Sequence, residues 1–315
     1  MSRAPSERLK QTAAALIVMA LWGSLFPFIK LGYSAFNINT KSVPDIMLFA
    51  GVRFFICGIA ICIFTGAKKM KFSKDFKTSL LPIMLTGIFS VVLHYTFTYV
   101  GLSLTDSSKT AILKQLGTLL YICFCFLFIK EERFSVYKIT GALVGFAGIA
   151  AINAGGGKLS FSVGDLLIIL ASFCTVFANT FGKSALKNNH PFVLTGVSQL
   201  FGGAVMVTVA LISGAKFSSF SLSAALVFTY ICAASVVSYC LWYKTVEKSE
   251  LSSLFIIKFA EPVFACMFGA LLLGEKIFRI QYLISYILIA AGIIVGSKRT
   301  KPKIAGADNK ATAAK

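Results

Sequence analysis

Charged residues are scarce in this sequence, and acidic residues are the scarcest of them. Asp, Glu, Lys and Arg make up 14% of the 315 residues, whereas a typical soluble domain holds about 25%. Hydrophobic residues make up 57%, and the mean hydropathy is +0.81. A soluble chain of this size needs more polar surface to enclose its core. The shortage of charge therefore excludes an ordinary soluble enzyme and predicts an integral membrane protein.

Histidine is nearly absent, with two residues in the whole chain. A membrane-embedded enzyme needs clustered His, Asp or Glu inside the membrane, so we predict no enzymatic activity, no cofactor and no metal site. The eight cysteines lie in apolar runs and form no CxxC pair, which is typical of small buried side chains. The formal charge of +19 comes mostly from basic residues between the apolar runs. That placement is typical of membrane proteins and argues against nucleic acid as a partner.

Ten apolar stretches can each form a membrane-spanning helix, which needs about 20 residues. Seven of them contain no charge: 11–29, 78–105, 139–157, 166–182, 191–215, 217–243 and 280–297. Three are interrupted by isolated charges: 46–67 by Arg53, 110–129 by Lys114, and 251–274 by Lys258 and Glu261. Strands of a transmembrane barrel would alternate in polarity over about ten residues, and these stretches do not. The sequence therefore predicts an all-α integral membrane protein with ten transmembrane helices.

Most of the 31 basic residues lie in the two termini and in alternate loops. Because cytoplasmic segments of membrane proteins are enriched in Lys and Arg, we expect both termini to be cytoplasmic. Residues 1–10 would form a short N-terminal segment, and residues 298–315 a polar, disordered tail. The start MSRAPSERLK shows no cleavage site before the first apolar run, so we expect that run to be retained as a helix.

The two halves of the chain align when one is shifted by 144 residues. Tyr95 then meets Tyr239 and Lys114 meets Lys258; further pairs are Tyr99 with Tyr243, Glu131 with Glu275, and Gly148 with Gly292. Each repeat holds five spans, and an odd number places the second copy upside down in the membrane. Inverted repeats of this kind build secondary transporters, whose substrate site lies near the midplane and is reached by alternating access. A P-loop for ATP is absent from the sequence.

Several motifs together resemble the EamA-type branch of the drug/metabolite transporter superfamily. They are ALWGSLFPFIK near the start, SLTDSSKTAIL at the fourth span, FIKEERFS and LLGEKIF around the two repeat glutamates, and GFAGIAAI and IAAGIIVG near the end of each half. The resemblance covers residues 10–298. It implies a 5+5 inverted-repeat bundle, with repeats at 11–153 and 163–297, that moves small metabolites across a membrane, which we expect to be the bacterial inner membrane. Many members carry proline where this chain has Gly117, while the second half keeps Pro262, so we expect the fourth helix to be less kinked than the ninth.

Isolated charges inside a membrane are costly, by about 2.5–3.5 kcal/mol or more for a basic residue at a helix centre, and they indicate function. Lys114 and Lys258 each lie about seven residues into their spans, roughly 10 Å deep at the rise of an α-helix. They would flank the midplane from opposite sides. Glu261 is spaced to pair with Lys258 on one helix face, while Arg53 has no acidic partner nearby in its helix. The excess of base over acid predicts a substrate with a carboxylate or phosphate.

Aromatic residues at the same depth are candidates for the wall of the site. We expect Tyr95, Tyr239 and Trp22 to contact the substrate. Further candidates for the wall are Tyr99, Tyr121, Trp242 and Tyr243. Of these, Tyr99, Trp242 and Tyr243 lie near span ends, where aromatic residues of the membrane interface are typical.

A few polar residues remain open to more than one role. His94 and Glu261 are candidates for proton coupling, since a histidine can exchange a proton near neutral pH, although a structural histidine is the commoner case. Asp106 and Ser107 are expected to cap the fourth span. Glu131 and Glu275 lie at span ends, where contacts of a loop or gate are expected.

The sequence thus predicts a secondary active transporter of a small organic metabolite with an anionic group, which can also be zwitterionic. The alternative is an exporter of neutral or cationic aromatic or amphipathic compounds, with the lysines in structural roles. The partners expected are the substrate, the lipid bilayer, and a coupling proton or a counter-substrate. The protein would act as a monomer or a homodimer.

Overall fold

The computed structural model describes residues 5–73, 75–104, 107–124, 126, 134–153, 162–216, 221–274 and 280–297. These residues form helices and short connections, without a β-strand among them. Twelve α-helices follow in chain order: α1 Pro5–Ala35, α2 Val43–Ala67, α3 Leu81–Gly87, α4 His94–Leu104, α5 Ser107–Phe124, α6 Val136–Asn153, α7 Val163–Ala185, α8 Pro191–Ile212, α9 Leu222–Glu247, α10 Leu251–Lys258, α11 Glu261–Leu273 and α12 Ile280–Gly296.

Seven helical segments within the described residues are long and apolar enough to cross a membrane. They are Leu9–Ala35, Val43–Ala67, Phe76–Gly101, Val163–Ala185, Pro191–Ile212, Leu222–Glu247 and Leu251–Leu273. Three shorter apolar helices, Leu113–Phe124, Val136–Ala151 and Leu283–Gly296, lie where the sequence predicted the remaining spans. The all-helical membrane fold is therefore confirmed. Glu131, Glu275, Asp106 and the tail 298–315 lie outside the described residues.

Polar caps set several helix starts. The Ser42 hydroxyl accepts from the backbone N–H of Asp45 before α2, and Ser162 and Asp165 form a reciprocal capping box before α7. Ser221 accepts from Ala224 before α9. Each cap satisfies a backbone donor that the first helical turn leaves unpaired. Short polar connections can therefore separate long apolar helices.

The third apolar stretch contains two π-helical segments, Phe76–Leu80 before α3 and Ile88–Leu93 before α4. Pro82 lies between them and has no N–H with which to reach the carbonyl oxygen of Thr78. The side chain of Asn188 donates to that carbonyl instead, at 3.2 Å.

Outside the membrane, the side chain and backbone of Thr78 donate to Asp75, and these bonds lower the pKa of that exposed carboxyl.

The ninth apolar stretch is broken in its middle, where α10 ends at Lys258 and α11 begins at Glu261. In the segment between them, backbone hydrogen bonds span three residues instead of four. The N–H of Phe259 donates to the carbonyl oxygen of Ile256, and the N–H of Ala260 donates to that of Ile257. Pro262 cannot donate a backbone bond to Lys258 and so favours the break here. The fourth span keeps Gly117 and runs unbroken as α5. The expected difference in kinking between these two spans is confirmed.

Helices from the two halves of the chain pack against each other. Helix α2 lies along α8, and α6 lies along α12. Helix α1 packs on α9 and α11, while α7 packs on α4 and α5. The core that these contacts enclose is where the candidate site residues meet.

Two of these contacts depend on glycine. A methyl group added to Gly58 of α2 would collide with the backbone of Leu200 in α8, and one added to Gly203 would collide with Phe55. Between α6 and α12, a methyl group on Gly141 would lie 2.5 Å from the carbonyl oxygen of Gly292. Glycine thus allows both helix pairs to approach backbone to backbone, as small residues do in membrane bundles.

Candidate functional site

Lys258 occupies the last position of α10, at the break in the ninth span. The residue is 8% exposed, so its charge is almost fully removed from solvent. The C-terminal end of a helix carries a partial negative charge, which favours a cation there. Discontinuous helices of this kind form substrate and ion sites in transporters.

Aromatic rings surround the ammonium of Lys258. Its Nζ lies 5.5 Å from the ring centroid of Trp22, 5.9 Å from that of Trp242 and 5.6 Å from that of Phe255. We call these three rings the aromatic cage. A cation over an aromatic face is stabilised by about 0.5–2 kcal/mol, the larger value applying away from water.

Glu261 lies one turn after Lys258 but does not form an ion pair with it in the described part of the chain. The break at Phe259 and Ala260 is the physical reason, because it disrupts the continuous helix that the expected i, i+3 pairing required. The carboxyl still lies within electrostatic range of the lysine. The aromatic cage, and not a carboxylate, provides the direct contacts of Lys258.

Trp242 and Tyr243 do not belong to an interfacial belt. They are 1% and 3% exposed, and they lie in the core. Of the two roles that the sequence left open for these residues, the interfacial one is therefore wrong. The position of Trp242 near the end of the predicted span indicated its depth in the membrane but not the direction of its ring. The rotation of α9 about its axis turns the ring inward, where its centroid lies 5.2 Å from that of Trp22.

Arg53 forms a second cationic centre on α2 and is 1% exposed. Its Nη2 donates to the hydroxyl oxygen of Tyr95 at 2.9 Å, and its guanidinium carbon lies 4.2 Å from the ring centroid of Phe54. Its Nε is buried and has no hydrogen-bond partner among the described residues. The titratable groups that interact with Arg53 include Tyr95, Tyr99, Tyr239 and Cys57, together with Tyr33 and Cys232.

A continuous aromatic wall joins the two cationic centres. Phe54 packs 5.1 Å from Tyr95 and 5.9 Å from Tyr239, and Tyr239 packs 5.4 Å from Trp22 of the cage. The structure therefore brings together Tyr95, Tyr239 and Trp22, which the sequence predicted as wall residues. Trp22 adds an indole N–H that is buried and without a partner in the described residues.

Lys114 lies on α5, half-buried, with its Nζ 5.1 Å from the ring of Phe26. Phe26 and Trp22 are one turn apart on α1, so neighbouring rings of one helix contact the two lysines that the repeat relates. Lys114 is within electrostatic range of Lys258. The two lysines are thus part of one site.

His94, at the start of α4, faces α7. Its Nδ1 lies 3.0 Å from the carbonyl oxygen of Ala171 and 3.3 Å from the hydroxyl oxygen of Thr175. Because the carbonyl can only accept, Nδ1 carries the proton in that bond. Lys114 and Lys258 interact electrostatically with His94, so this histidine belongs to the same charged region.

Some residues of the site escaped sequence reasoning. Asn179 of α7 accepts from the indole N–H of Trp242 at 2.6 Å, and Phe26, Phe54 and Phe255 supply ring faces to the cations. Asn179 carried a usable signal, since an amide within an apolar run needs a buried partner. The phenylalanines carried none, because the chain has 30 of them.

Among the described residues, the candidate site holds three basic side chains, Arg53, Lys114 and Lys258, and one carboxyl, that of Glu261. In the described part of the chain, no group of three or more His, Cys, Asp or Glu side chains could hold a metal ion. A separate open depression of about 540 Å³ lies at the far end of α1, lined by Lys30, Tyr33, Ser34, Asn37, Ile38 and Thr40. It contains none of the residues predicted from the sequence, so we place the candidate site at the cage and Arg53.

Known proteins resemble this chain along most of its length. Uncharacterized inner membrane transporter YedA of Escherichia coli (strain K12) is 24% identical over 292 residues, covering 90% of this chain and 89% of that protein. An uncharacterized transporter of Archaeoglobus fulgidus is 26% identical over 300 residues, covering 92% and 86%. Uncharacterized transporter YvbV of Bacillus subtilis (strain 168) is 23% identical over 314 residues, covering 98% and 97%.

A solved crystal structure shares the fold, with a TM-score of 0.74 at 18% identity, over 91% of this chain and 96% of the other. The sequence profile of the EamA-like transporter family matches this chain twice, at residues 10–154 and 162–297. The resemblance predicted from the motifs is thus confirmed. The chain is an integral membrane protein and a transporter, not an enzyme, and it belongs to the EamA-like transporter family.

Proposed function

We propose that this transporter moves a small organic metabolite with an anionic group, a carboxylate or a phosphate, by secondary active transport. One observation carries the proposal: the described side chains of the site offer unpaired donors and cations. The Nε of Arg53 and the indole N–H of Trp22 are buried without a hydrogen-bond partner among the described residues, and the ammonium of Lys258 contacts aromatic rings.

Unpaired buried donors have a definite energetic cost. Each one costs about 1–3 kcal/mol, more when charged, relative to the same group with its hydrogen bond. A carboxylate or phosphate offers several acceptor positions and a compensating charge. A zwitterionic metabolite fits as well, since Glu261 lies within electrostatic range of Lys258. The bound anion would thus satisfy groups that the protein leaves unsatisfied.

We also propose ten spans in two inverted five-helix repeats, at 11–153 and 163–297. The packing supports this arrangement, because a two-fold axis relating the repeats would pair each helix with its own counterpart or with matching neighbours. Helices α2 with α8 and α6 with α12 are such counterparts. The contacts of α1 with α9 and α11 match those of α7 with α4 and α5. The double match of the family profile agrees with the same division.

Alternating access follows from this arrangement if the repeats rock about the site. The break between α10 and α11 is a natural hinge, because it separates Lys258 from the rest of its span. His94 and Glu261 are our candidates for proton coupling; exchange against a counter-substrate is the other mode. We place the protein in the inner membrane of a bacterium, where YedA is described as residing.

The second candidate function is export of neutral or cationic aromatic compounds, and the aromatic cage is the observation in its favour. Aromatic faces bind ammonium groups, and Trp22, Trp242 and Phe255 already do so with Lys258. A cationic substrate would have to displace the lysine and tolerate Lys114 nearby. The neighbouring positive charges therefore favour the anion.

Ligand-induced stabilisation of the purified protein tests the choice. We expect benzoate or inorganic phosphate to raise the thermal unfolding midpoint, and phenethylamine to leave it unchanged, since a ligand at 100 times its Kd stabilises by about 2.7 kcal/mol. Lys114→Gln and Lys258→Gln should each weaken the anion's affinity about 10- to 150-fold, from the 1.5–3 kcal/mol of a hydrogen bond to a charged group.

The exposed Lys68 on the α2–α3 connection supplies the matched control, since Lys68→Gln removes the same charge far from the cage. It should leave the affinity for the anion unchanged. If the amine stabilises the protein, the anions do not, and Lys258→Gln has no effect on binding, the aromatic-cation exporter replaces this proposal.

A further inference from the structure

Asn179 is a polar residue inside the bundle, 5% exposed, in the C-terminal half of α7. Its Oδ1 accepts from the indole N–H of Trp242 at 2.6 Å, and its Nδ2 donates to the carbonyl oxygen of Thr175 at 2.7 Å. The indole N–H can only donate and the carbonyl can only accept, so the orientation of the amide is determined. The amide thus ties the Trp242 ring of α9 to the backbone of α7.

The backbones around this bond also approach closely. A methyl group on Gly182 of α7 would lie 2.5 Å from the ring of Tyr243, the residue after Trp242. Thr175, Asn179 and Gly182 share one face of α7, at helical spacing. Trp242 is therefore held by a side-chain bond at its ring and by close helix packing beside it.

The two tryptophans of the cage differ in this respect. Trp242 is 1% exposed with its N–H bonded, whereas Trp22 is half-buried with its N–H unpartnered in the described residues. Both rings contact the ammonium of Lys258. The Trp242 ring is therefore fixed by a hydrogen bond, whereas the indole N–H of Trp22 has no partner in the described residues.

We propose that Asn179 is a positioning residue: it fixes Trp242 as the permanent wall of the cage, so that the cage holds the ammonium of Lys258 while the transporter is empty. The inference rests on the proposed function, in which an anion later draws Lys258 away from the rings. Trp242 then stays in place through its bond to Asn179, and Trp22 offers its free N–H to the anion. The strength of the cage thereby sets how strongly an anion must attract Lys258 in order to bind.

Tryptophan fluorescence tests this inference without any ligand, because the chain contains only two tryptophans. In Trp22→Phe protein, Trp242 is the sole tryptophan. A cation on its ring face changes its emission, so adding Lys258→Met should shift the emission maximum. With Asn179→Leu also present, the ring is no longer held against the lysine, and the shift caused by Lys258→Met should fall to a small fraction of its former size.

Ser172→Ala is the matched control, since it removes a hydroxyl from the same helix that bonds Gly117 and not a tryptophan. It should leave the effect of Lys258→Met intact. An equal shift with Asn179 and with Leu at that position would overturn the inference and leave Asn179 as a packing residue. So would the absence of any shift upon Lys258→Met.

If the Asn179→Leu protein does not fold, the indole N–H signals of ¹⁵N-tryptophan-labelled parent protein decide the question. Lys258→Met should displace both signals, and two unmoved signals would overturn the inference. Failure of the proposed function has a different signature, because the protein would then bind neither benzoate nor inorganic phosphate while the cage signals still respond to Lys258.

Discussion

At the scale of single residues, Lys258 shows how a membrane protein keeps a buried charge without a direct ion pair in the described part of the chain. Desolvation of an ammonium costs several kcal/mol even after the protein relaxes. Three ring faces and the C-terminal end of α10 offset part of this cost. The part of the desolvation cost that is not offset lowers the stability of the protein, and a buried charge retained at such a cost indicates function.

Replacing Lys258 by methionine should therefore stabilise the protein while it weakens anion binding. Methionine fills a similar volume without a charge, so the desolvation cost of the ammonium, several kcal/mol, no longer applies. Thermal unfolding in detergent measures the change. Lys114→Met is the control, because Lys114 is only half-buried and its replacement should move the midpoint less. A clear fall in the Lys258→Met midpoint would contradict this account.

The sequence was sufficient to find the cations of the site and insufficient to find what holds them. Arg53, Lys114 and Lys258 stand out as charges within apolar runs. The direction in which a ring points depends on helix rotation, which an almost uniformly apolar helix does not encode in its pattern. The interfacial role of Trp242 was wrong for this reason. The sequence indicated that Asn179 needs a buried partner, but not that this partner is Trp242.

At the scale of helices, the contact of α2 with α8 depends on the absence of side chains. Gly58→Ala should destabilise the protein by about 1–3 kcal/mol, the usual cost of overpacking, because its methyl group meets the backbone of Leu200. Gly66→Ala, on the same helix with open space around it, should be neutral or stabilising by up to about 1 kcal/mol. The thermal unfolding midpoints of the two variants are compared. Equal midpoints would show that α2 and α8 can move apart at little cost in stability.

Features of the helices were predictable where a single residue type, such as proline, determined them locally. Pro262 predicted a kink in the ninth span, because it cannot donate a backbone bond to Lys258. Pro27 lies inside α1, which stays continuous, so a proline alone does not decide the outcome. The π-helical segments of the third stretch were not predicted from the sequence; both contact α7, and Ile88–Leu93 also contacts α8. Span ends differed by several residues, as at α9, which begins at Leu222 and ends at Glu247.

At the scale of the whole molecule, an even number of spans places both termini on one side of the membrane, and the distribution of basic residues predicts the cytoplasmic side. Reporter fusions to the two ends should both be active as cytoplasmic reporters and inactive as periplasmic ones. A fusion after Ser213, at the end of α8, should give the opposite pattern. Termini found on different sides would rule out ten spans and, with them, two repeats of five.

The π-helical segments have a consequence for how the chain tolerates insertions and deletions. A π-turn holds one residue more than an α-turn, so deleting one residue within Ile88–Leu93 would let that segment become α-helical. The residues on either side would keep their register, whereas deleting one residue from α3 would rotate everything after it by about 100°. His94 and Tyr95 lie in that part, and the bond between Tyr95 and Arg53 would be lost although both residues remain. In this stretch the number of residues, as much as their identity, specifies the site.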